Sequence, residues 1–212
     1  MTDLGAIRVF LVDDHTIVRE GLRALLDDCG DVRVVGEAED GREAVTKVLE
    51  DPPDVVVMDL AMPRLNGVDA TAQIRKEAPN VQVIVLTMHA GPEYVRPAIR
   101  AGAKGYLIKG SGLSDLVSAI RAVARGQAFV SPEAAAVLVE DASGVVPTGE
   151  LTSREREVLQ LVAEGHSSPE IAKMLHLSVK TVEGHRQRIM AKVGASNAVG
   201  LVRHALRLGL IS

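Results

Sequence analysis

At 212 residues the chain has room for one large domain or two ordinary ones, and 47% hydrophobic residues suffice to bury a core. Aromatic residues are scarce, with no Trp, two Tyr and two Phe, so aliphatic side chains must fill that core. The single Cys29 excludes an intramolecular disulfide. No run approaches about 18 uninterrupted apolar residues, and the N-terminus lacks a basic-then-apolar signal pattern, so a soluble cytoplasmic protein with no membrane partner is expected. The net charge of −4 is unevenly divided: residues 1–150 hold 15 Lys and Arg against 23 Asp and Glu, whereas residues 151–212 hold 9 against 5. An acidic half suits a metal site, and a small basic half suits a polyanion.

In chain order, the β-rich run Ile7–Val12 ends on Asp13 and Asp14. Residues 15–28 put Val18, Leu22, Leu25 and Leu26 on one helical face, residues 32–35 read as strand, and 41–50 as a helix with Ala44, Val45 and Val48 inward. The run Val55–Met58 ends on Asp59 and leads through Ala61-Met62-Pro63-Arg64-Leu65-Asn66-Gly67, a Pro/Gly loop, to a helix ending near Ala78-Pro79. A fourth strand over 81–86 ends on Thr87 and a fifth, Gly105–Ile108, on Lys109; helices follow near 92–101 and 113–125, stopped at Gly102 and Gly126. The alternation predicts an α/β domain over 1–128 with a five-stranded parallel sheet, doubly wound. Residues 129–149 read as a partly helical linker: 134–139 can form one helix, and 141–149 has linker composition.

Residues 150–212 predict four helices. Thr152-Ser153-Arg154-Glu155 is a capping box opening a helix to about Glu164, stopped at Gly165. Ser168 as N-cap and Pro169 at the first helical position open a second helix, to Leu175. After the turn His176-Leu177, Ser178 caps a longer helix to about Val193. A last helix from about Ser196 to Leu208, apolar at Leu201, Val202, Ala205 and Leu206, packs or pairs with a partner. The tight turn reads as helix-turn-helix, with the longer helix able to enter a major groove. On it Val179, Val182, Ile189 and Val193 form the inward stripe, leaving Lys180, Thr181, Glu183, Gly184, His185, Gln187, Arg188 and Lys192 to face out. A small helical bundle with a solvated charged face is the bland alternative.

An acid directly after a strand lies at the strand's carboxyl end, where open α/β sheets bind ligands. If the runs are neighbouring parallel strands, Asp13, Asp14, Asp59, Thr87 and Lys109 converge on one pocket. Clustered carboxylates stay ionised together when a divalent cation neutralises them, and an all-oxygen shell with several waters suits Mg²⁺. One carboxylate can then attack phosphorus and become an acyl phosphate. Asp59 is the best nucleophile candidate, because the adjacent Asp13 and Asp14 look like metal ligands. Thr87 can donate a hydrogen bond to a phosphoryl oxygen, and Lys109 can pair with another.

With these residues in view, the chain resembles the NarL/FixJ subfamily of two-component response regulators, with a flavodoxin-like receiver and a LuxR-type helix-turn-helix. The receiver motifs are Phe10-Leu11-Val12-Asp13-Asp14-His15, Val57-Met58-Asp59-Leu60-Ala61-Met62-Pro63, Leu86-Thr87-Met88-His89 and Gly105-Tyr106-Leu107-Ile108-Lys109. Those of the second half are Leu151-Thr152-Ser153-Arg154-Glu155-Arg156-Glu157-Val158-Leu159, Glu170-Ile171-Ala172 and Leu177-Ser178-Val179-Lys180-Thr181-Val182-Glu183-Gly184-His185. The resemblance implies that Asp59 is the phosphoacceptor, that Asp13, Asp14 and the Ala61 carbonyl complete the Mg²⁺ shell, and that Thr87, Lys109 and Tyr106 sense the phosphoryl group. It further implies a sensor histidine kinase, promoter duplex DNA carrying an inverted repeat, a homodimer on phosphorylation, RNA polymerase as a possible partner, and an inactive form in which the first domain masks the recognition helix. Departures are Gly110 in place of a common proline, Ser168-Pro169 for a frequent Asn-Lys, an acid at Glu183 where lysine is common, and the absence of arginines near Ser196 and Ala198. Glu183 cannot pair with phosphate but can accept from a cytosine amino group. Two other classes stay open at this point: a phosphorylation-independent regulator or adaptor, and an aspartyl-phosphate phosphatase.

Overall fold

The structure, a computed structural model, describes residues 5–110, 112–141, 151–195 and 197–211. In the first half the chain runs β1 (Ile7–Val12), α1 (Thr16–Asp27), β2 (Val32–Ala38), α2 (Gly41–Glu50), β3 (Val55–Met58), α3 (Gly67–Glu77), β4 (Gln82–Thr87), α4 (Pro92–Arg100), β5 (Gly105–Ile108) and α5 (Leu113–Ala124). The strands form a parallel sheet in the order β2-β1-β3-β4-β5, extended by a sixth strand, β6 (Phe129–Val130). Five strands were expected. The sixth is two residues long, too short to show a period, and it forms because Phe129 N–H donates to the Lys104 carbonyl (3.0 Å) and Ser131 N–H to that of Tyr106 (2.8 Å).

Helices on both faces bury the β-branched strands, as an all-parallel sheet requires. On one face Val9, Leu11, Val55, Val57, Ile84 and Leu107 pack with Leu26, Leu116 and Ile120; on the other Phe10, Val12, Val56, Met58 and Val83 pack with Ala44, Val48, Ala70 and Ile74. The helical part of the expected linker, α6 (Pro132–Asp141), joins this body: Ala134 and Val137 cluster with Val85, Val95, Ala98 and Tyr106. The linker stretch 142–149 and the expected start of the last helix at Ser196 lie outside the described residues.

The second half contains α7 (Ser153–Ala163), α8 (Ser168–Met174), α9 (Val179–Val193) and α10 (Ala198–Arg207). Thr152 and Glu155 form the expected capping box of α7, and Ser178 caps α9. At α8 the cap is Ser167 rather than Ser168. Glu170 binds the Ser167 N–H (2.8 Å) and hydroxyl (2.5 Å) in a capping box, which places the cap one residue earlier than expected and Pro169 in the first turn. Val158, Leu159, Leu161, Ile171, Val182, Ile189, Leu201 and Ala205 make the core. Val179, expected inward, is the first residue of α9 and is 40% exposed, and Leu206 is 46% exposed. No helix among the described residues is long and apolar enough to cross a membrane.

The two halves dock through α7 and the end of α10. Arg156 pairs with Asp69 (2.9 Å), Arg42 with Glu157 (2.6 Å), and Tyr94 OH donates to the Leu206 carbonyl (3.3 Å). Gly209, at φ 63°, lies so close to the Tyr94 ring that a Cβ there would overlap it. Among the described residues the first half does not bury the outer face of α9: Lys180, Thr181, Glu183, Gln187 and Arg188 are exposed, and the contacts with the first half named above come from α7 and the end of α10.

Candidate functional site

Parallel pairing brings the carboxyl ends of β1, β3, β4 and β5 side by side, and with them the acids, Thr87 and Lys109. Asp13, Asp14, Asp59 and also His15 each place one ligand atom within 4.8 Å of the others. Asp13 and Asp59 are buried, at 3% and 6% exposure. Burial pushes the Asp59 carboxyl up, opposed by the nearby Lys109 ammonium and by the Leu60 N–H bonded to its Oδ1 (2.7 Å). Lys109 Nζ lies 2.6 Å from Asp13 Oδ2 and 2.8 Å from Asp59 Oδ2. Burial works against its charge, but the two carboxylates outweigh it and raise the amine. Asp14 is more open, with His15 Nδ1 2.8 Å from its Oδ1 and 3.2 Å from that of Asp13.

The loop after Asp59 folds tightly over the acid. Gly67 N–H donates to the Leu60 carbonyl (2.9 Å), and a Cβ at Gly67 would overlap the Asp59 carbonyl, so only glycine fits. Ala61 lines a cleft of about 300 Å³ with Asp14, Met62 and Pro63, closed on the far side by Ala163, Glu164 and Ile211 of the second half. Hard oxygen donors from three clustered carboxylates fit Mg²⁺.

Thr87 is buried, its Oγ1 accepting from His89 N–H at 3.4 Å. Tyr106 is inward and fully buried, donating through its hydroxyl to the His89 carbonyl (2.8 Å); burial raises the phenol well above its ordinary value. The His89 ring stacks on Tyr94 at 4.2 Å between centroids. His15 and His89 were not singled out from the sequence, although each closes a quoted motif. Neither ends a strand run: His15 meets Asp13 and Asp14 within its own turn, and His89 meets Tyr106 of the neighbouring strand.

On α9, Lys180, Thr181, Glu183, Gln187, Arg188 and Lys192 are exposed and Gly184 and His185 half-buried. Arg188 lies against the Gly184 carbonyl (3.1 Å) and His185 Nδ1 (3.4 Å). Burial and the adjacent Arg188 lower the His185 imidazole, favouring its neutral form. Lys192 turns inward at its tip, 2.6 Å from Glu155 Oε2, the carboxylate that also closes the α7 capping box.

Residues 9–121 match the family model described as the response regulator receiver domain, and residues 149–205 the model described as bacterial regulatory proteins, luxR family. The oxygen regulatory protein NreC of Staphylococcus carnosus is 38% identical over 97% of this chain and 99% of its own length. The transcriptional regulatory protein LiaR of Bacillus subtilis is 38% identical over 97% of this chain and all of its own length. Among solved structures, RcsB from Salmonella enterica serovar Typhimurium, bound to promoter rprA in the presence of the phosphomimetic BeF3⁻, is 29% identical. It aligns over 94% of this chain and 98% of its own, with a TM-score of 0.69. A parallel α/β receiver sheet with converging acids, joined to a LuxR-type helix-turn-helix, makes this chain a member of the NarL/LuxR family of two-component response regulators, which regulate transcription by binding DNA.

Proposed function

We propose that Asp59 accepts a phosphoryl group from a sensor histidine kinase, with Mg²⁺ held by Asp13, Asp14, Asp59 and the Ala61 carbonyl. The observation that carries this reading is the Lys109 ammonium bridging Asp13 and Asp59 in a site otherwise rich in acid. When bound, the ion neutralises charge on the carboxylates and the incoming phosphoryl oxygens. An Asp59 carboxylate oxygen forms the new bond to phosphorus while the bond to the donor atom breaks, the electron pair leaving with the donor. Lys109 then pairs with one phosphoryl oxygen and the Thr87 hydroxyl donates to another. Movement of Thr87 disturbs its contact with His89, against which Tyr106 is hydrogen-bonded, so the pair shifts the β4–α4 segment between two arrangements. The chain is a switch, at most promoting its own phosphorylation and dephosphorylation.

The phosphorylated form is a homodimer that places two α9 helices on an inverted repeat in promoter DNA, in the cytoplasm and within reach of RNA polymerase. Lys180 and Arg188 contact phosphate, and Thr181, Glu183, Gly184, His185 and Gln187 face the bases. The ion pair with Glu155 makes Lys192 chiefly an anchor of α9 rather than a phosphate contact. The DNA-bound relative supports this reading. Genome-wide DNA capture with and without acetyl phosphate tests it. Wild type gains occupancy at sites sharing an inverted repeat and Asp59→Asn does not; equal occupancy by both proteins leaves a phosphorylation-independent regulator.

A further inference from the structure

Lys109 takes up only part of the acid cluster. Its Nζ lies against Asp13 Oδ2 and Asp59 Oδ2, whereas the His15 ring meets the other Asp13 oxygen and Asp14. The ring Nδ1 is 3.2 Å from Asp13 Oδ1 and 2.8 Å from Asp14 Oδ1. Hydrogen bonding accounts for only half of this arrangement. The ring bonds to Asp13 Oδ1, which also accepts the His15 N–H (2.9 Å), but Asp14 Oδ1 is buried and has no hydrogen-bond partner among the described residues. His15 is the N-cap residue of α1, yet its side chain makes no capping bond and is 64% exposed, so no structural duty holds it over the acids. Donors that share one ion about 2.1 Å away stand about 3.0–3.4 Å apart, close to the two nitrogen–oxygen distances at His15.

We infer that His15 is a nitrogen ligand of the ion site and opens it to borderline divalent transition ions, Zn²⁺ above all, in competition with Mg²⁺. This assignment rests on the reading of the acids as a metal site. Mg²⁺ is a hard cation that keeps oxygen donors and waters, so an imidazole adds little to its binding. Zn²⁺ takes imidazole nitrogen together with carboxylate oxygen, and it accepts three protein ligands with a further position left open. His15 Nδ1, Asp13 Oδ1 and Asp14 Oδ1 supply that set on oxygens that Lys109 does not hold, and a carboxylate oxygen of Asp59 lies within 4.8 Å of the others. The two ions thus share the acids and differ in their need for one exposed ring. Replacing that ring separates them without touching Asp59, Thr87 or Lys109.

The test uses the full chain as wild type, His15→Ala and His15→Asp, titrated with Zn²⁺ or Mg²⁺. His15→Ala removes the ring, and His15→Asp puts an oxygen donor at the same place. Ligation is read by nuclear magnetic resonance of chains carrying ¹⁵N in the histidine rings, the His15 signals being those missing from both variants. Affinity is read by calorimetry, and comparison with the variants subtracts zinc held at other histidines. Zn²⁺ is expected to shift the His15 Nδ1 signal strongly and Mg²⁺ to leave it in place. Loss of an outer-shell partner already weakens metal binding about tenfold or more, so His15→Ala, which loses a ligand, is expected to bind Zn²⁺ at least that much more weakly. Its Mg²⁺ affinity is expected to stay as in wild type, and His15→Asp to lower the preference for Zn²⁺ over Mg²⁺ in the same direction. A His15 signal that Zn²⁺ does not move, or equal Zn²⁺ affinity in wild type and His15→Ala, overturns the inference. Equal losses for both ions make His15 a structural support and overturn it as well. A wild type that binds neither ion removes the metal-site reading itself, whereas Mg²⁺ binding with Zn²⁺ indifferent to His15 removes this inference alone.

Discussion

Replacing Lys192 by Ala separates two roles that a basic residue on a recognition helix can play. Its Nζ lies 2.6 Å from Glu155 Oε2, and the Glu155 side chain is only 3% exposed. Burial alone would raise that carboxyl, but Lys192 and the Thr152 N–H and hydroxyl outweigh it and hold it below the ordinary range. Removing one partner of a buried pair costs about 3–5 kcal/mol. Lys192 is itself a third exposed, so solvent can partly replace it and we expect a loss of about 2 kcal/mol. For a domain of this size that lowers the melting temperature of the helical half by about 10 °C. Because the Glu155 pKa is lowered on folding, its contribution is present above about pH 4.5 and is lost as the pH falls through the lower folded value. The gap between wild type and Lys192→Ala, read from far-ultraviolet circular dichroism melts, should therefore close in acid. Binding to duplex should keep its salt slope, whereas Lys180→Ala should flatten that slope by about one unit with no change in melting. A Lys192→Ala protein that melts within about 2 °C of wild type at neutral pH and binds DNA with a flattened slope would refute the reasoning.

Asp59→Asn should take no label from acetyl phosphate; wild-type labelling of the amide would remove Asp59 as the acceptor. The same variant should melt higher in metal-free buffer at pH 7, because the Asp59 pKa is raised on folding and its ionised form is the less favourable one. That advantage is full above the raised folded value and gone below about pH 3.8, and a variant less stable at every pH contradicts it. Phosphorylation should need roughly millimolar Mg²⁺, since the site offers few carboxylates and many waters; undiminished labelling in excess chelator rules that out. With α9 exposed, the unphosphorylated full chain should still bind duplex in a salt-dependent manner, with phosphorylation adding selectivity for an inverted repeat. No binding at low salt without phosphodonor would show that docking blocks DNA.

Local sequence fixed the elements and the chemistry of this protein wherever a short-range rule applied. Strand runs ending on Asp13, Asp59, Thr87 and Lys109 announced the site, because in a parallel sheet residues at the carboxyl ends must be neighbours. Capping residues Thr152 and Ser178 placed α7 and α9 correctly, since a cap acts within one turn. Ser167 was missed beside Ser168-Pro169 because two adjacent hydroxyls satisfy the same rule, and the choice fell to the reach of Glu170. The two-residue β6 carries no period of its own and exists only because β5 offers it a free edge. Tertiary structure alone decided the rest: that Lys192 turns to Glu155 rather than to solvent, that His89 joins Thr87 to Tyr106 and Tyr94, and that Gln160 enters a loop 94 residues away. Each of these depends on which side chains become neighbours when separate helices, strands and loops pack together. No spacing along the chain encodes that distance, so it could be read only after the chain had folded.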